Sequence, residues 1–339
     1  MKRNRSIHTI AQDLNLSATT ISFVINGKAI GKISPGVIKK VEGYLKKINY
    51  TPNPIAKSLK TGKTSIIGMM MEDISDPFFA SIARGVEEEC MLSDYKLFFL
   101  STKNLTERAI SILKTLNDYN VDAYIIAPTA GIENEIKKLI DSEKPVILYD
   151  RYFPNLNTCN VVVDNRGGAY KGTVELAKNG YKRIAFVTLV SDQIQILERR
   201  LGYKDAITQY NQEKEIILEI PYNLNMDGIS SLVRKFLIKN KDIDAIFFAT
   251  NYLAIGGLQA IKDVGGIVSL SFGVAGFDDN THFSLFSPSI TAIAQPIKSI
   301  AKSIVQNVFE ALAADDICRP KTIVLPTQLI IRESSHKKA

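Results

Sequence analysis

Ser17, Ala18, Thr19, Thr20, Ser22, Phe23 and Asn26 sit on a short helical pattern whose other side carries Ile21, Val24 and Ile25. A helix made only to face water would usually carry Glu and Lys there. Hydroxyl, methyl and amide groups instead fit the floor and walls of a DNA major groove. The same helices could also form a module for protein contacts, because the geometry is widely reused. Charge favours the groove: residues 1–63 hold 12 Lys and Arg against Asp13 and Glu42, a net of +10, and the remaining chain carries −3. A basic head on a near-neutral body suits a polyanion at one end.

Chemistry of turnover finds no such support. Gly62-Lys63-Thr64 resembles the end of a phosphate-binding loop, but the earlier glycine position holds Lys57 and no strand precedes it. His8, His282 and His336 have neither metal-ligand spacing nor a nucleophile elbow. Cys90, Cys159 and Cys318 are distant and odd in number, so they suit buried thiols in a reducing compartment rather than a disulfide framework or a zinc site. No enzyme, metal or cofactor is expected.

The elements that would position the polar face are legible. Ser6 can cap a first helix with Ile7, Ile10, Ala11 and Leu14 on one side. Asn15 tolerates the left-handed backbone of a tight turn, and Ser17 is the next cap. Ser34-Pro35 opens a third helix whose Val37, Val41, Tyr44, Leu45 and Ile48 close a small core. After Pro52, Asn53 can cap a helix starting at Pro54 and ending by Lys60, before Thr61-Gly62. A helix that short is marginal alone and calls for a partner, DNA and a symmetry mate. Leu59 is then an apolar wedge for a minor-groove step, or, in a plain flexible linker, a residue packed on the body.

The 339 residues, 45% hydrophobic and 23% charged, allow about two or three globular domains. Apolar runs at 65–71, 96–100, 122–127 and 145–149 are followed by a second set at 183–188, 215–220, 244–249 and 273–276. Helical stretches such as 105–119 and 226–239 lie between them. Continuous apolar runs fit strands buried on both faces of parallel sheets, here two similar α/β lobes. In such architectures ligands bind where strand ends of the two lobes face each other. No signal-peptide core or apolar segment long enough to span a bilayer is visible, so a cytoplasmic protein without a membrane partner is expected.

Ile7-His-Thr-Ile-Ala, Leu16-Ser-Ala-Thr-Thr-Ile-Ser-Phe-Val-Ile-Asn26 and Tyr50-x-Pro-Asn-Pro-x-Ala-Lys-Ser-Leu59 together resemble the headpiece and hinge of the LacI/GalR family of bacterial transcription regulators. The likeness extends to Arg332-Glu-Ser334. It implies an all-α helix–turn–helix headpiece at 1–50 and a hinge at 51–63. It also implies an α/β body of the periplasmic-binding-protein type I fold at 64–339, with an N-lobe of about 64–163 and 295–324 and a C-lobe of about 164–294 and 325–339. Three crossovers would join the lobes.

By that resemblance Ala18, Thr19 and Phe23 face base edges, and Ser17, Thr20, Ser22, Asn26 and His8 hold phosphates. Asn53, Ala56 and Lys57 belong to the DNA-contacting hinge, with Leu59 and Lys60 entering the minor groove of a near-palindromic operator. The matching effector positions are Asp73, Ser75, Phe78, Phe79, Asp150, Arg199, Tyr222, Asn251, Tyr252, Asp278 and Gln295. Their chemistry suits a polyhydroxyl, sugar-like ligand. Individually, Asp278 could instead cap a helix and Arg199 could pair with Glu198.

Three departures stand out. Tyr252 follows Asn251 where the family usually has Asp, Ser269-Leu-Ser271 replaces the usual Pro-x-Asp, and Phe23 stands where an arginine is common. Phe23 cannot read guanine bidentately; it can touch a thymine methyl or turn inward. A ligand-controlled, dimeric DNA-binding regulator is the expected function, the absence of a leucine-heptad tail favouring dimer over tetramer. A solute-binding protein of a sugar transporter and an enzyme on the same scaffold are the alternatives.

Overall fold

Ser6 and Ser17 each stand one residue before an apolar helical pattern, and each starts a helix. The computed structural model describes residues 5–51, 58, 62–210, 214–222, 224–263, 272–314 and 319–337. The chain divides into two compact units, Met1–Thr64 and Ser65–Ala339.

In the first unit, α1 (Ile7–Leu14) is capped by Ser6 Oγ, which accepts from Thr9 N at 3.2 Å. Asn15 ends it in the left-handed region, φ 52°, as the turn requires. Ser17 Oγ accepts from Thr20 N at 3.0 Å and starts α2 (Ala18–Ile25). α3 (Pro35–Lys47) begins on the proline. Ile10, Ala11, Leu14, Ile21 and Val41 are buried together, with Val37, Tyr44, Leu45 and Ile48 packed around them. Asn53, Ala56, Lys57, Leu59 and Lys60, and the departure at Ser269–Ser271, lie outside the described residues, as does Cys318.

The second unit holds two six-stranded sheets. The first runs β11 (Lys321–Leu325), β5 (Cys159–Val163), β4 (Val146–Tyr149), β3 (Ala123–Ile126), β1 (Ile66–Met71), β2 (Lys96–Ser101), all parallel. The second runs β12 (Gln328–Ile330), β10 (Thr291–Ala294), β9 (Gly273–Phe277), β8 (Ala245–Phe248), β6 (Ile184–Leu189), β7 (Ile216–Ile220), parallel except for β12. The central strands β3, β4, β6, β8 and β9 are buried at every residue, which is why they read as uninterrupted apolar runs. Three passages join the sheets, after β5, after β10 and after β11.

Helices cover the sheets. For the first they include α4 (Pro77–Cys90), α5 (Thr106–Asp118), α6 (Glu133–Asp141) and α11 (Ile297–Ala314); for the second, α7 (Asn165–Lys178), α8 (Ile194–Gln209), α9 (Met226–Lys239) and α10 (Asn251–Asp263). α7 and α8 approach closely at Gly202, where a Cβ would lie 2.1 Å from the Arg166 carbonyl oxygen and 2.9 Å from Tyr170 N. In both sheets the strand order reverses beside the first strand, at β1 and at β6, so crevices open outside the carboxyl ends of the strands there.

Candidate functional site

Strand ends of both sheets converge on one cavity. Glu72 follows β1, Asp76 caps α4, and Asp150 and Arg151 follow β4. From the second sheet come Tyr222 after β7, Thr250 to Tyr252 after β8 and Asp278 after β9, while α8 supplies Gln195 and Arg199. Phe78, Phe79, Leu189 and Ile196 complete the lining, and the cavity measures about 40 Å³. That is room for a few waters, since about 10–15 Å³ holds one. A second cavity of about 610 Å³ adjoins it and shares Arg151 and Tyr222 as walls.

Two guanidinium groups organise the inner cavity. Arg199 Nε donates to Asn165 Oδ1 at 2.9 Å, and its Nη1 donates to the Ala249 carbonyl at 2.7 Å and to Asp278 Oδ2 at 3.3 Å. Its guanidinium lies 3.7 Å from the centre of the Phe277 ring. Gln295 Nε2 donates to Asp278 Oδ1 at 2.6 Å, so both carboxylate oxygens are engaged. Arg151 Nε donates to the Pro128 carbonyl at 2.6 Å and Nη1 to Glu72 Oε2 at 2.8 Å. Burial opposes the charge on Arg151, yet Glu72 and Asp150 hold it firmly protonated.

The two lobes are tied across this site. Tyr222 Oη donates to Glu72 Oε2, and Gln193 Nε2 donates to Asn104 Oδ1 at 3.0 Å. Asp150 and Asp278 both hold left-handed backbones, φ 65° and 68°. Such conformations are strained in non-glycine residues and gather at functional sites. Burial pushes the Asp150 carboxyl up to about 6 against the pull of Arg151 and Arg199. Burial, Asp278 and Glu72 together bring Asp76 to about 6 as well. Burial also raises the Tyr222 and Tyr252 hydroxyls well above the usual phenol range.

Of the sequence-derived effector residues, Phe78, Phe79, Asp150, Arg199, Tyr222, Asn251, Tyr252 and Asp278 meet at this cavity. Arg199 pairs with Asp278 rather than Glu198. Gln295 stands behind, acting through Asp278. Asp73 and Ser75 are not brought there. Ser75 donates to Asp73 Oδ1 from N and Oγ at 2.9 and 2.8 Å, and Lys103 Nζ holds Asp73 Oδ2 at 2.6 Å. Burial opposes these bonds, but they win and keep the Asp73 carboxyl below its ordinary value. Glu72, Asp76, Arg151, Leu189, Gln195, Ile196 and Thr250 also line the cavity, beyond the expected effector positions. Asp76 carried a signal, the capping position before Pro77.

In the first unit His8, Ser17, Thr19 and Asn26 are exposed, and Thr20, Ser22 and Phe23 half-buried. Phe23 lies outside the core, with Lys32 Nζ 5.3 Å from its ring centre. Ala18 packs against the core edge. Asn26 Nδ2 donates to the Ser22 carbonyl and Oγ at 2.7 and 3.2 Å.

A family described as periplasmic binding proteins and the sugar binding domain of LacI family matches residues 64–333. Relatives match nearly end to end. The HTH-type transcriptional regulator KdgR of Bacillus subtilis (strain 168) is 28% identical over 98% of this chain and all of its own. The HTH-type transcriptional regulator RegA of Clostridium saccharobutylicum is 28% identical over 97% of this chain and 99% of its own. The chain belongs to the LacI family. It is a ligand-controlled transcriptional regulator rather than a transporter's solute-binding protein, because LacI-family relatives that align along both units carry regulator names. Among solved folds, the lac repressor dimer bound to operator and the anti-inducer ONPF superposes with a TM-score of 0.84 at 17% identity, covering 98% of this chain and all of that one. The CelR–cellobiose complex gives 0.73 at 22%, covering 97% of this chain and 99% of that one. These relatives are named as regulators, none as an enzyme. Among the described residues no helix is long and apolar enough to cross a membrane, and no cluster of metal-binding side chains occurs.

Proposed function

We propose that this LacI-family regulator is a cytoplasmic homodimer that grips a near-palindromic operator through its basic first unit and releases or tightens that grip when a sugar-like effector fills the cleft. The convergence of Arg199, Asp278, Asp150, Asn251 and the aromatic rings on one cavity between strand ends carries this reading. Carboxylates and amides match hydroxyl groups, and Arg199 bridges neighbouring oxygens. The names of relatives agree: one solved neighbour holds cellobiose, and the lac repressor was solved as a dimer on operator.

α1 to α3 form the helix–turn–helix headpiece, with Ala18, Thr19 and Phe23 facing base edges. Ser17, Thr20, Ser22, Asn26 and His8 secure phosphates and register. Phe23 replaces an arginine and reads by contact with a thymine methyl, so the preferred operator differs from that of arginine-bearing relatives. In the hinge, Asn53, Ala56 and Lys57 contact the backbone while Leu59 and Lys60 enter the minor groove. Dimerisation draws on β2, an edge strand with exposed Phe98 and Phe99, beside exposed Met91 and Leu92.

The small inner cavity admits a sugar only when the Tyr222–Glu72 and Gln193–Asn104 ties part, so ligand entry and lobe orientation are one event. Such coupling amounts to about 1–3 kcal/mol in known switches. Its test is a double dissociation. Leu59→Ala lowers affinity for the preferred duplex about tenfold or more and leaves ligand affinity unchanged. Asp278→Asn does the reverse. Unchanged duplex affinity in Leu59→Ala contradicts the wedge, and unchanged ligand affinity in Asp278→Asn contradicts the cleft site.

A further inference from the structure

The charges lining the inner cavity do not balance. Glu72, Asp76, Asp150 and Asp278 contribute four carboxyl groups, and Arg151 and Arg199 two guanidinium groups. Arg151 pairs with Glu72 and Asp150, and Arg199 with Asp278. Asp76 pairs with no cation among the described residues. Its carboxylate accepts from the backbone N–H groups of Phe78, at 2.8 Å, and Phe79 at the start of α4, while the nearest charges acting on it, Asp278 and Glu72, are both acidic.

A second sign is independent of charge. Gln195 is 5% exposed and lines the same cavity. Its Nε2 donates to Gln193 Oε1 at 3.1 Å, while its own buried Oε1 has no hydrogen-bond partner among the described residues. Buried acceptors left without donors are unfavourable. An unpaired carboxyl and an orphaned amide oxygen in one cavity both call for a positive, donor-rich group. The apolar part of the wall combines the aliphatic Leu189 and Ile196 with the rings of Phe78, Phe79, Tyr222 and Tyr252, and aromatic rings can attract cations.

Resting on the reading of this cleft as the effector site, we infer that the effector carries a protonated amino group, as an amino sugar does. The ammonium is directed at Asp76 and Gln195, and the hydroxyl groups lie toward Arg199 and Asn251. A neutral sugar supplies hydroxyl donors but leaves the surplus negative charge uncompensated.

The pH dependence follows from the groups around Asp76. Glu72 faces it from the end of β1, Asp150 and Arg151 from β4, and Asp278 from β9. Arg199 on α8, Tyr222 after β7 and Tyr252 on α10 complete the surroundings. Burial and like charge place the Asp76 carboxyl at about 6, so it is ionised at pH 7.5 and largely protonated at pH 5. The Asp150 carboxyl, also at about 6, loses its charge over the same range, so ammonium binding weakens about tenfold or more between those values.

The test is calorimetric titration of the full chain with D-glucosamine, D-galactosamine and D-mannosamine, each beside its parent hexose and its N-acetyl derivative. At least one amine is expected to bind tenfold or more tightly than both neutral counterparts, and Asp76→Asn to erase that difference. The thermal melting of the variant without sugar confirms that it folds. A neutral sugar that binds as tightly as its amine overturns the amino-group inference and leaves the sugar-effector reading standing. If no member of either set binds, both fall.

Discussion

Asp76 is held against its own preference. Its carboxyl sits at about 6 rather than 3.8, because burial and the neighbouring Asp278 and Glu72 disfavour the charged form. A carboxyl raised in the folded state weakens the fold wherever it must ionise, above about pH 6, and the penalty vanishes below about pH 4. Asn keeps an acceptor for Phe78 N without the charge. Asp76→Asn is therefore expected to stabilise the protein by about 1–3 kcal/mol at pH 7.5, and to give no gain at pH 4. Urea unfolding at both values measures it, and an equal gain at both would contradict the electrostatic cause.

The same residue shows where sequence reading stops. Asp73, Ser75 and Asp76 are three hydrogen-bonding residues in one short loop. Which of them turns to the cleft depends on Lys103, which is distant in the chain and draws Asp73 away. Arg199, Asp278 and Asn251 were legible because their flanking motifs fix their places on α8, after β9 and at the start of α10.

At the level of elements, α8 carries both Gln195 and Arg199, so its seating against α7 sets the geometry of one wall. Gly202 permits that seating. A side chain there meets backbone, the Arg166 carbonyl at 2.1 Å, which cannot rotate aside. Gly202→Val is expected to force the helices apart, destabilise the fold by about 1–3 kcal/mol, and weaken ligand binding about tenfold as Arg199 shifts. Denaturation and calorimetry measure the two effects, and unchanged ligand affinity would separate Arg199 from the α7–α8 contact.

Elements differ in how openly the sequence declares them. Central strands such as β6 and β8 are buried throughout and announce themselves as apolar runs. β11 and β12 are short, partly exposed strands completed by distant partners: β11 pairs with β5, and β12 with β10. Local pattern cannot supply such pairings. The headpiece helices were legible because their caps and stripes agree: Ser6, Ser17 and Pro35 start them, and Ile10, Ile21 and Val41 close one core.

For the whole molecule, a basic head at +10 and a body at −3 divide the work between a polyanion and a small ligand. The ties Tyr222–Glu72 and Gln193–Asn104 give the ligand something to part, and only differential affinity for the two lobe arrangements can transmit its presence to DNA. The most direct measurement is selection of duplexes from a random pool by the full chain at physiological salt, followed by titration of the selected duplex with and without cleft ligand. A near-palindromic sequence is expected to emerge, with affinity that falls as salt rises and changes about fivefold or more when ligand is bound. A pool that stays random, or a selected duplex whose affinity ignores the ligand, would contradict ligand-controlled operator binding.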